Sequence, residues 1–131
     1  MKLGSKSKIN VLEKRIEQMT NLKTGFYNIS ELKKLKFKSL GKNVLISKST
    51  NIVGEENISI GSNVRIDSYT NLICQKGKIT IGNYCHIASS CFILGTGGVT
   101  MEDFSGIAPG VKIFSSSDNY DGSSLTNPLV G

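Results

Sequence analysis

A chain of 131 residues, 38% hydrophobic and 20% charged, has the size and composition of one globular domain. It holds no apolar run near the roughly 18 residues that a bilayer span needs, and its three cysteines, odd in number and without a C-x-x-C, argue against a disulfide framework or a zinc knuckle. The net charge of +6 is lopsided, because residues 1–48 carry twelve of the sixteen Lys and Arg, whereas seven of the ten acids fall in residues 49–131.

The basic leader could meet nucleic acid or an anionic surface. No aromatic platform or nucleic-acid motif accompanies it, so it reads as a solvated face, and neither a nucleic-acid nor a membrane partner is expected. Residues 1–8 are charged without a following apolar stretch, which reads as no secretory signal and implies a cytoplasmic protein. Ile9, Leu12, Ile16 and Met19 stand at helical spacing and predict a short amphipathic helix over residues 9–19. A second helix is expected over residues 29–35, with Asn28 as N-cap and Glu31 closing a capping box. Phe26, Ile29, Leu32 and Leu35 would be its buried contacts. Residues 1–38 thus read as a helical extension and cap, and residues 39–131 as a separate repeat domain.

From Leu40 onward a six-residue step takes over. Leu40, Ile46 and Ile52 are followed by Ile60, Ile66 and Leu72, then Ile81, Ile87 and Ile93, then Met101, Ile107 and Ile113. Each triplet is two six-residue steps and a longer third, and first members lie 20 or 21 residues apart. Such a period predicts a mainly β, three-sided solenoid of about four coils, each burying its apolar row only against its neighbours. Gly, Asn and Ser at the corners and Ile and Val between them suit short strands joined by tight turns. Cys85 and Cys91 fall on inward positions and read as reduced core packers.

The register also gives the single histidine a direction. Cys85 faces inward, so His86 projects outward in a column that runs Leu45, Arg65, His86, Gly106. Arg65 would set a positive charge beside the imidazole, and the bare Gly106 would leave room next to it. An outward imidazole beside a gap suits a general base. Asp118, Asn119 and Tyr120 form a polar loop after the last strand. A calcium loop starting at Ser117 fails, because its twelfth position is Pro128 instead of a bidentate Glu.

Residues 37–47 (FKSLGKNVLIS), 57–67 (NISIGSNVRID), 86–88 (HIA), 102–106 (EDFSG) and 116–128 carry a resemblance to the hexapeptide-repeat acyltransferases, particularly bacterial sugar acetyltransferases. The resemblance implies a left-handed parallel β-helix, a homotrimer with active sites between subunits, and acetyl-CoA as co-substrate. It implies transfer of an acetyl group to an amino or hydroxyl group of a nucleotide-linked sugar for surface (lipopolysaccharide-type) polysaccharide. His86 would be the base, Asp118 or Asn119 would orient it or bind sugar, Tyr120 and Arg65 would contact substrate, and Gly106 would lie near the cofactor. No metal is expected. Family members continue beyond the position of Gly131 into further coils that carry much of the acetyl-CoA site, so the chain reads as a C-terminally truncated fragment. The competing reading is a noncatalytic β-solenoid serving as a trimerisation or binding module.

Overall fold

The structure, a computed structural model, describes residues 11–12 and 25–115. Val11 and Leu12 are helical; the rest of the helix expected over residues 9–19, and the loop of Asp118, Asn119 and Tyr120, lie outside the described residues.

A short helix, α1 (Ile29–Lys34), precedes the repeats. Its start is fixed as the sequence predicts: Glu31 N–H donates to Asn28 Oδ1 at 2.8 Å, and Asn28 N–H donates to Glu31 Oε1 at 3.1 Å. Glu31 also meets Lys48 Nζ at 3.6 Å. Leu32 joins the interior core, with Tyr27, Leu35 and Phe37 packed against it. Ile29, expected among the buried contacts, is instead 69% exposed. It opens the first turn, and the face that meets the solenoid is the one carrying Leu32.

Among the described residues twelve strands follow, four on each of three faces. The first face stacks β1 (Ser39–Leu40), β4 (Ile58–Ile60), β7 (Ile79–Ile81) and β10 (Val99–Met101). The second stacks β2 (Leu45–Ile46), β5 (Arg65–Ile66), β8 (His86–Ile87) and β11 (Gly106–Ile107). The third stacks β3 (Asn51–Val53), β6 (Asn71–Ile73), β9 (Phe92–Leu94) and β12 (Lys112–Phe114). Every pairing is parallel, and the register is the predicted one: Ile46 pairs with Ile66, Ile66 with Ile87, and Ile87 with Ile107. Each coil therefore sets its apolar residues directly on those of the coil below. Ile46, Ile66, Leu72, Ile87 and Ile93 have no exposed surface at all, and burying each such side chain contributes roughly 1.5–3 kcal/mol. Cys74, Cys85 and Cys91 are free thiols in this core. Burial raises the Cys74 thiol above its ordinary pKa.

The glycine that follows the first apolar residue in the first three rows (Gly41, Gly61 and Gly82) has a steric cause. A Cβ on Gly61 would lie 2.6 Å from Asn83 Oδ1 and 2.8 Å from the carbonyl carbon of Gly82 in the next coil. Coils stacked about 4.8 Å apart leave no space for it. At the next corner position Asn43, Asn63, Tyr84 and Phe104 all adopt positive φ, between 56° and 62°. Asn tolerates that region, and the two aromatics that replace it stack on each other with centroids 5.0 Å apart.

Before the first coil the chain runs as a strap along the second face. Tyr27 N–H donates to Ile46 O at 2.9 Å and Lys48 N–H donates to Gly25 O at 2.7 Å, and Phe26 bridges Ser47 in antiparallel sense. The strap lies beside β2, on the sheet that carries His86.

Candidate active site

The second face brings together the outward residues of β5 and β8 and the residue that follows β5. Leu45, Arg65, His86 and Gly106 form one column, each paired with the next. Among the described residues a Cβ on Gly106 would meet nothing nearer than the His86 carbonyl oxygen at 3.8 Å, so those residues leave the space beside it open. This is unlike the close approach at Gly61.

Arg65 and His86 do not act on one another directly, because each reaches Asp67. His86 Nε2 lies 2.8 Å from Asp67 Oδ2, and Arg65 Nε donates to Asp67 Oδ1 at 2.7 Å. One carboxylate thus joins an arginine of its own coil to the histidine of the next. The Asp67 side chain is 22% exposed, against 52% for His86 and 57% for Arg65. Burial acts to raise the Asp67 carboxyl, but the hydrogen bonds from His86 and Arg65 and their charge outweigh it and hold it below its ordinary value. An ionised carboxylate only accepts hydrogen bonds. In the neutral ring Nε2 of His86 is therefore the nitrogen that carries the proton toward Asp67, and Nδ1 is the one with the lone pair.

Asp67 is absent from the residues singled out in the sequence, although the signal was there. It stands two positions after Arg65, on the same outward side by the period of two, and one coil below and diagonal to His86. The orienting role expected of Asp118 or Asn119 has a candidate in Asp67 within the described residues. Among those residues no group of three His, Cys, Asp or Glu side chains could hold a metal ion. No helix among them is long and apolar enough to cross a membrane.

No protein-family model matches the chain. Over 100 residues it is 44% identical to the dTDP-4-amino-4,6-dideoxy-D-glucose acyltransferase of Escherichia coli, a match covering 76% of this chain and 52% of that enzyme. Its fold is similar to AntD, an N-acyltransferase from Bacillus cereus, in complex with dTDP and 3-hydroxybutyryl-CoA, with a TM-score of 0.69 and 42% identity over 82% of this chain and 56% of that one. A variant of AntD in complex with dTDP-4-amino-4,6-dideoxyglucose and coenzyme A gives a TM-score of 0.71, with 42% identity over 83% of this chain and 57% of that chain. The chain spans about half the length of the relatives it matches. In repeat, fold and sequence the solenoid is similar to these acyltransferases over about half of their length.

Proposed function

We propose that the protein transfers an acyl group, acetyl in the simplest case, from an acyl-CoA to the amino group of a dTDP-linked 4-amino-4,6-dideoxy sugar. The observation that carries this reading is the His86–Asp67 pair at 2.8 Å, on an outer face left open at Gly106. Relatives 42–44% identical, whose names specify such acyl transfer or such ligands, supply the substrate class.

Acyl-CoA supplies an activated thioester carbonyl. As the sugar amine forms its C–N bond there and the C–S bond breaks, His86 Nδ1 takes the proton that the amine must shed. Asp67 holds the opposite edge of the ring through Nε2–H and stabilises the imidazolium that forms. The proton then passes to the departing thiolate, so amine and thioester become amide and thiol with the base regenerated. Gly106 leaves the space into which the acceptor amine comes. Asp118, Asn119 and Tyr120 are proposed as sugar contacts. A homotrimer, a cytoplasmic location and a role in lipopolysaccharide-type surface polysaccharide complete the reading, and residues 25–38 would cap the first coil.

The test is a product assay with acetyl-CoA and a panel of nucleotide-linked amino sugars, including dTDP-4-amino-4,6-dideoxyglucose. An N-acylated product from that sugar supports the reading. Binding of dTDP without transfer to any panel member would instead favour the noncatalytic solenoid module.

A further inference from the structure

Arg65 is more than half exposed, yet its guanidinium is held on two sides. Nε donates to Asp67 Oδ1 at 2.7 Å, and Cζ lies 5.5 Å from the centroid of the Phe26 ring. That separation is within the reach of a cation–π contact. Phe26 is 5% exposed and buried, but it does not belong to the interior core cluster. It sits in the strap, fixed by the hydrogen bonds of Tyr27 and Lys48 to and from the strap and first coil. A large apolar side chain buried on the outside of the solenoid wall is better explained by what it holds than by core packing.

From this we infer that Arg65 is a positioning residue and Phe26 its anchor: the strap fixes the guanidinium, the guanidinium fixes Asp67, and Asp67 sets the orientation and tautomer of His86. The chain of contacts is continuous. Phe26 presents a ring face, Arg65 bridges it to Oδ1, and the second carboxylate oxygen, Oδ2, is thereby turned to Nε2 of His86. A carboxylate held at one oxygen has little freedom to swing away from the imidazole. Arginine suits the position because its planar group can donate from Nε while stacking on an aromatic face, and lysine offers neither in the same geometry. On this account Arg65 acts through Asp67 instead of touching substrate. The consequence for catalysis rests on the acyltransferase reading above, whereas the consequence for His86 itself does not.

The experiment uses the whole protein with Arg65→Lys, Arg65→Gln and Phe26→Leu, each checked for an unchanged circular dichroism spectrum. Nitrogen-15 NMR of the His86 ring reads its tautomer, and carbon-13 NMR of the Asp67 carboxyl reads its titration. In the unaltered protein the neutral ring is the Nε2–H tautomer. Arg65→Lys and Arg65→Gln both release it to a mixture, Arg65→Gln raises the Asp67 titration, and Phe26→Leu shifts the tautomer in the same direction. Transfer activity, where measured, falls between about ten- and a hundredfold in kcat with KM for the acceptor unchanged, the scale expected of a displaced catalytic group.

If Arg65→Lys leaves the tautomer and the Asp67 titration as they were, the clamp is overturned, because charge alone then suffices. A rise in acceptor KM with constant kcat would equally overturn it in favour of direct substrate contact. Failure of the acyltransferase reading looks different: the tautomer shifts as described, while His86→Ala keeps full turnover or no acceptor is acylated.

Discussion

Nε2 of His86 and Oδ2 of Asp67 stand 2.8 Å apart across adjacent coils, although nineteen positions separate them in sequence. The parallel stacking of β5 and β8 alone makes this possible. It ties a surface histidine to a carboxylate of the neighbouring coil.

Replacing Asp67 by Asn keeps the shape but offers an amide that can donate as well as accept, so the tautomer of His86 is no longer dictated. We expect kcat for acyl transfer to fall by about 10²-fold, within the range attributed to positioned acid–base catalysis. Circular dichroism and the acceptor KM should be little changed. Steady-state kinetics of Asp67→Asn checks both at once.

Asp67 also makes stability depend on pH. Its carboxyl lies below the ordinary value of 3.8 in the folded protein, so the unfolded chain binds more protons as that range is crossed. The stabilisation from the Arg65–Asp67–His86 contacts is therefore fully present above pH 3.8 and is lost as pH falls through the lower folded value. Denaturant unfolding of the unaltered protein and of Asp67→Asn should show a stability difference that shrinks below pH 3.8. A difference that grows on acidification would contradict the direction of the shift.

Two glycines one face apart should respond in opposite ways. Gly61→Ala drives a methyl against Asn83 Oδ1 and Gly82 in the next coil and should cost about 1–3 kcal/mol, as overpacking does. Gly106→Ala meets, among the described residues, only the His86 carbonyl at 3.8 Å and should leave the melting temperature nearly unchanged. A larger replacement, Gly106→Leu, should still fold but raise the KM for the acceptor by filling the space beside His86. Thermal melts of the first two and kinetics of the third test the contrast.

Thr50 gives a test of the core. Its buried Oγ1 has no partner among the described residues, whereas Thr70, one coil above, donates its hydroxyl to Ala88 O at 3.0 Å. Thr50→Val removes an unsatisfied hydroxyl at nearly constant volume and should stabilise the fold by about 1 kcal/mol. Thr70→Val breaks a made bond and should destabilise it by a similar amount. Equal effects of one sign would show that the two sites differ less than their hydrogen bonds indicate.

The interior of this fold is legible in the sequence because one rule writes it many times. Ile46, Ile66, Ile87 and Ile107 repeat at nearly constant spacing, each can be buried only on the next, and so the register, the inward thiols and the outward direction of His86 follow together. The outer surface obeys no such repeat. Asp67 forms no pattern in the sequence, because its partner is diagonal, on another coil, and Ser47 and Ala88 occupy the matching places without charge. The exposure of Ile29 is not legible either, because helical spacing alone does not say which side of one short turn meets the solenoid. The contact of Phe26 with Arg65 depends on a strap that crosses back antiparallel to β2, which no periodicity encodes.

The central claim is that His86 removes the proton from the acceptor amine. Single-turnover acyl transfer to dTDP-4-amino-4,6-dideoxyglucose, comparing the unaltered protein with His86→Ala at matched saturation by both substrates, tests it most directly. The account predicts a loss of between about 10² and 10⁴ in the transfer rate, with the binding of dTDP and of coenzyme A retained. An unchanged transfer rate in His86→Ala would contradict it.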